Sequence, residues 1–134
     1  MTSLAKIEGI GETYAQKLKD AGIATIEALL EQGAAPKGRK EITEKSGISA
    51  KLILEWINRA DLFRVKGIGE EYADLLEVAG VDTLPDLARR NPGNLYQKLV
   101  DVNEEKNLTR KLPTQSQVQD WVEQAKDLPR AITY

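Results

Sequence analysis

Two short stretches hold residue types whose spacing could do chemistry: Gly9-Ile10-Gly11-Glu12-Thr13 and Gly67-Ile68-Gly69-Glu70-Glu71. A glycine-bounded turn that opens a helix leaves the first backbone N–H groups without intrahelical partners. They sit at the positive end of the helix dipole, where they can hold an anion or a phosphate oxygen. With Lys17 and Lys66 beside them, Gly9, Gly11, Glu12, Thr13, Gly67, Gly69, Glu70 and Glu71 make up the candidate set for a phosphate contact. The acids pull the other way, because a carboxylate in a first helical turn competes for the same N–H groups. Its ordinary role there is to complement the dipole, typically worth about 0.3–1 kcal/mol, and that role needs no ligand.

Composition removes most other chemistry. The 134 residues include no cysteine and no histidine, so disulfides, thiolate zinc sites and the commonest general base are all absent. No catalytic or metal site is expected, since the acids are scattered along helix faces and do not converge. There are 19 basic and 21 acidic residues, a net charge of −2, which describes a well-solvated chain and does not announce a polyanion partner. No apolar run approaches a membrane span and the start MTSLAKIEGI lacks the features of a secretory signal, so the expectation is a cytoplasmic protein with no membrane partner and no small-molecule substrate.

The elements that must position these stretches come in duplicate. IEGIGETYAQKLKDAGIATIEALLEQGA aligns without a gap to VKGIGEEYADLLEVAGVDTLPDLARRNP, making the chain an internal duplication. Periodicity is helical throughout, and the fold class expected is all-α. Ser3 reads as the N-cap of a short helix ending near Ile7, with Asp61 in the equivalent place before Leu62 to Val65. Tyr14, Leu18 and Ala21 then recur along an amphipathic helix closed by Gly22. Thr25 and Thr83 cap short helices over 26–32 and 84–90, stopped by Gly33 and by Asn91-Pro92. Ser49 and Thr114 cap equivalent final helices bearing Ile53, Trp56, Ile57 and Ala60, and Val118, Trp121, Val122 and Ala125. The expected units are 1–61 and 62–134. The second carries an insertion around 94–113, where LYQKLVDV reads as helix and NEEKNLTRKLP as an exposed, charged loop.

The glycine turns resemble the helix-hairpin-helix motif, a hydrophobic-Gly-hydrophobic-Gly hairpin, although Glu8 and Lys66 put a polar residue at its first position. The pattern AGI-x-T, a short apolar helix and then SGIS-x-K is similar to the five-helix hairpin domains (SAM-like) found at recombinase N-termini and at the C-terminal end of the alpha subunit of bacterial RNA polymerase. The tandem most resembles a prokaryotic helix-hairpin-helix family catalogued as domain of unknown function 4332. The resemblance implies two units of about five short helices each, packed as a rigid duplication. As in the DNA-binding members of that superfamily, it also implies backbone N–H groups of Gly11, Glu12 and Thr13, and of Gly69, Glu70 and Glu71, offered to a nucleic-acid backbone, with the whole candidate set of phosphate contacts around them. No cofactor is implied, although hairpins of this superfamily can hold a monovalent cation through backbone carbonyls.

The remaining candidates have plain structural readings. Trp56 and Trp121 fall on apolar helix stripes and read as core anchors. Tyr14 and Tyr72 stand one turn from the hairpins and want one wet end. Lys37, Arg39 and Lys40 read as a solvated loop or a phosphate contact, Arg89 and Arg90 suit a helix C-terminus, and Arg110 and Lys111 lie in the inserted loop. Two functions follow: a non-catalytic module making weak, sequence-independent contact with nucleic-acid backbone, or a protein-interaction or scaffolding module in which the hairpins are structural.

Overall fold

The computed structural model describes residues 2–134. Among these the chain forms a short 3₁₀ turn and eight α-helices. The described residues include no strand, and Ser3 and Thr25 form an isolated bridge. None of the helices is long and apolar enough to cross a membrane. The chain divides into two compact units, Met1–Asp61 with Arg130–Tyr134, and Leu62–Pro129. The expected end of the second unit is therefore corrected, since residues 130–134 group with the first.

In the first unit a 3₁₀ turn at Leu4–Lys6 precedes α1 (Glu12–Asp20), α2 (Ile26–Gln32), α3 (Pro36–Ser46) and α4 (Ala50–Leu62). Several helix ends are set by local caps and turns. The Ser3 hydroxyl accepts from Ala5 N at 3.2 Å, Thr25 Oγ1 accepts from Ala28 N at 3.1 Å, and Pro36 opens α3 where a missing N–H costs nothing. α1 closes on Gly22 at φ +91°, with Ile23 N bonding Leu18 O and Gly22 N bonding Lys19 O, so the orphan carbonyls of the last turn are paired. α3 and α1 pack together, as do α2 and α3. The core holds Leu4, Ile7, Ile10, Leu18, Ile26, Leu29, Ile42, Ile53, Trp56 and Ile57.

The second unit comprises α5 (Glu70–Val78), α6 (Leu84–Arg89), α7 (Pro92–Lys106) and α8 (Gln115–Asp127). α6 and α7 both pack on α8, and α5 on α7. Thr83, Asn91 and Thr114 cap through their side chains, and Thr114 with Gln117 completes a reciprocal capping box. Val118, Trp121 and Val122 bury the inner face of α8 against Leu76, Leu87, Leu95 and Leu99 in one cluster.

Two expectations are corrected here. Asp61 is not an N-cap, because α4 runs on through Leu62. Asp61 is buried within α4, and residues 63–68 form turns with no helix. The inserted segment is not a loose loop either, since NEEK continues α7 to Lys106 and the loop proper begins at Asn107, in a left-handed conformation. The helix continues because Asn103 through Lys106 still pair their backbone, whereas Asn107 tolerates positive φ better than most residues.

Trp56 is 3% exposed and Trp121 is 1% exposed, so both indoles are core. Truncating either to Ala should cost about 3–5 kcal/mol. Urea unfolding of the two variants checks this, and curves that match the parent would place the indoles outside the folding core.

Candidate nucleic-acid interface

The first glycine of each turn is required by its backbone conformation. Gly9 has φ +93° and Gly67 has φ +100°, a region that side chains with a Cβ rarely adopt. Each also faces an indole: a Cβ built on Gly9 would meet Trp56 Nε1 at 3.6 Å, and one on Gly67 would meet Trp121 Nε1 at 2.9 Å. Ile10 and Ile68 turn inward and are buried. A tyrosine completes each arrangement, Tyr14 against Trp56 and Tyr72 against Trp121, with ring centroids 5.2 Å apart in both.

The second glycine is different. Gly11 and Gly69 serve as N-caps of α1 and α5 with extended backbones, φ −85° and −105°, and no heavy atom lies within 4 Å of a Cβ built on either. The fold therefore requires a glycine at only one end of each turn. Gly11 and Gly69 are exposed, as are Glu12, Thr13, Lys66, Glu70 and Glu71, and no side chain caps either helix start.

Around this shared frame the surroundings diverge. In the first unit Lys17 lies with its Nζ 5.8 Å from the Tyr14 ring centre and Lys19 is exposed two residues further on. A shallow cavity of about 600 Å³ opens beside Gly11, with Ala5, Ala15 and Ala24 in its wall and Glu12 and Lys19 among its lining residues. One repeat on, Lys17 is replaced by the fully buried Leu75 and Lys19 by Glu77. Phe63 stands in the place of Ala5 and packs on the second unit's core, where Ala73 is buried.

The second turn is also tied to the chain's own inserted loop. Thr109, 5% exposed, donates its hydroxyl to Glu71 Oε2 at 2.9 Å, and the Tyr72 phenol donates to Lys111 O at 2.9 Å. Asn103 organises that loop by accepting from Leu108 N and Thr109 N and donating to Thr109 O. From the other side Gln124 of α8 takes both polar groups of the Lys66 backbone, accepting from its N–H at 2.9 Å and donating to its carbonyl at 3.0 Å. Glu71 is thus a fixed hydrogen-bond acceptor, and Lys66 contributes its backbone to the fold.

The ten candidate residues fall into two groups, Gly9, Gly11, Glu12, Thr13 and Lys17 at the start of α1, and Lys66, Gly67, Gly69, Glu70 and Glu71 at the start of α5. Sequence reasoning missed Asn103, Thr109 and Gln124, which hold the second turn. The one signal in the sequence was the extra length of the second unit between Pro92 and Thr114. Lys37 and Lys40 are exposed in the first turn of α3, whereas Arg39 is half-buried and bound to carbonyls, neither a solvated loop residue nor a phosphate contact. Among the described residues no group of three or more acids is placed to hold a metal ion.

The fold and site thus define an all-α protein of two compact units, each built on a glycine turn locked by a buried tryptophan. Residues 8–128 match the model of the family described as Domain of unknown function (DUF4332), and the chain belongs to that family. No curated protein and no solved structure matches it.

The asymmetry between the two glycines gives a test. Gly67→Ala should destabilise by about 2 kcal/mol or more, from left-handed strain of about 1–2 kcal/mol plus the clash with Trp121. Gly69→Ala should stay within about 1 kcal/mol of the parent, since a weaker cap is offset by a less flexible unfolded chain. Equal losses in denaturant titrations would contradict the division of labour.

Proposed function

We propose that the protein is a non-catalytic binding module of two tandem helix-hairpin-helix units, in which the hairpins are structural and partner binding uses the rest of the surface. The observation that carries this reading is the engagement of the second hairpin by the chain itself. Its first-turn acid is bound by Thr109, its tyrosine by Lys111 and its backbone by Gln124. A hairpin clamp on a nucleic-acid duplex needs both turns free and positively framed. The second unit instead holds nine basic against twelve acidic residues and sets Glu70, Glu71 and Glu77 on the hairpin helix. The cytoplasm is the location this reading assumes, and it calls on no cofactor.

A second reading is favoured by the first hairpin alone. There Gly11, Glu12 and Thr13 are exposed with Lys17 and Lys19 one to two turns away, a setting that suits weak, sequence-independent contact with a phosphate backbone or a monovalent cation held by turn carbonyls. Few cations approach a phosphate together, so duplex binding would have a dissociation constant no tighter than about 1 μM at physiological salt and a shallow salt slope.

The two readings assign Glu12, Glu70 and Glu71 opposite effects. If the hairpins are structural, the triple change to Gln leaves duplex binding unchanged and lowers stability slightly, by loss of dipole complementation and weakening of the Glu71 bond. If they face phosphate, the same change strengthens binding several-fold by removing repulsion. Titration of parent and variant with one oligonucleotide at two salt concentrations decides, and a several-fold gain would overturn the leading reading.

A further inference from the structure

Residues 130–134 follow α8 yet group with the first unit, and they are held there as a bound peptide would be. The hold is largely through main chain. Thr133 N donates to Ala34 O at 2.8 Å, and the Thr133 carbonyl accepts from Arg39 Nη2 at 2.7 Å. Arg39 Nη1 meanwhile donates to Gly33 O and Ala34 O at 2.9 and 3.2 Å, so one guanidinium joins the turn before α3 to the incoming segment. Two side chains flank this backbone pairing. Ile132 is buried at 2% exposure, and the Tyr134 phenol donates to Asn58 Oδ1 at 2.5 Å while its ring lies 5.9 Å from the Arg39 guanidinium carbon.

Arg39 stands where the second unit has a core residue. Pro36 and Pro92 each open their helix, and three positions later the first unit has Arg39 and the second has Leu95, 2% exposed. A cation in a first helical turn is opposed by the dipole, and here carbonyl oxygens from residues 33, 34 and 133 offset that cost. The first unit has thus given up an apolar core position for a residue whose bonds are complete only when a peptide carbonyl is present.

We propose that Ala34, Arg39 and Asn58 form a docking site for an extended peptide of the pattern Ile-Thr-Tyr, held in cis by residues 130–134 and open to the same segment of a second copy of the chain. Main-chain bonds give such a site its affinity and the alternate side chains, Ile132 and Tyr134, its selectivity. A second copy carries the identical segment, and the non-helical stretch 128–130, whose Pro129 carbonyl accepts from Arg64 Nη2 at 2.7 Å, is the hinge about which the segment would cross over. Exchange of identical elements is a low-cost route to dimers. The short tether gives the cis segment an effective concentration in the millimolar range, so exchange between copies requires comparable protein concentrations or an opened hinge. The site is independent of whether the hairpins touch nucleic acid.

The test uses the full chain with Ile132→Ser and Thr133→Pro, which withdraw its own segment by removing the buried side chain and the N–H that bonds Ala34. A fluorescein-labelled peptide spanning residues 128–134 should bind this variant at least about tenfold more tightly than the parent, whose site is filled. Adding Arg39→Ala should remove about tenfold or more of that binding, as loss of charge-assisted bonds does. Where the double variant unfolds, Thr133→Pro alone serves, and amide hydrogen exchange verifies that the remainder of the chain is protected as in the parent. Equal peptide binding by folded variant and parent, or binding that ignores Arg39, would overturn the docking site. In sedimentation velocity the parent should form a dimer at millimolar concentration that Thr133→Pro abolishes. A parent that stays monomeric while the opened variant binds peptide would overturn the second copy as occupant.

Discussion

Each unit depends on a glycine lying against an indole. Gly9 on Trp56 and Gly67 on Trp121 place a backbone with positive φ where a Cβ would meet the ring nitrogen, and that contact joins the turn to the last helix of its unit. The chain between turn and tryptophan is then constrained at both ends, and in the second unit residues of α5, α6 and α7 pack in one cluster with the indole. A unit of this size has little core to spare. Losing the indole removes the largest apolar body available to it; a Cβ at Gly67 would press on Trp121, whereas at Gly9 the cost of replacement lies in the positive φ.

What is built on this frame differs between the units. In the first, the surface beside the turn carries Lys17 and Lys19 and a shallow cavity walled by alanines. In the second, Leu75, Phe63 and the inserted loop close the corresponding region with apolar packing and with the bonds of Thr109, Lys111 and Gln124. The physical consequence is a difference in what remains available to a partner. Polar groups already paired within the chain have little left to offer, because a new bond to them must replace an existing one.

The all-α class, the helix starts at Thr25, Thr83 and Thr114, the glycine closures and the burial of both tryptophans were legible, because each rests on local rules of capping and 3.6-residue periodicity. The role of the second glycine was not, since a Gly-x-Gly string does not tell which glycine has positive φ. The fates of Glu71 and Arg39 were hidden for another reason. Both are fixed by partners distant in sequence, Thr109 for one and Thr133 for the other, and no local pattern reports such contacts. The misreading of Asp61 as a cap followed from extending the repeat one element too far, where α4 simply continues.

The inserted loop holds the first turn of α5, just after the second glycine turn, and the Glu71–Thr109 bond joins the two. A double-mutant cycle of Glu71→Ala and Thr109→Val, read by urea unfolding, isolates that bond from the rest of each side chain. A coupling of about 1 kcal/mol is expected, below the roughly 1.5–3 kcal/mol of a well-buried bond to a charged group because Glu71 is exposed to solvent. Strictly additive losses would show that the loop does not hold Glu71, leaving it a solvated first-turn acid like Glu12.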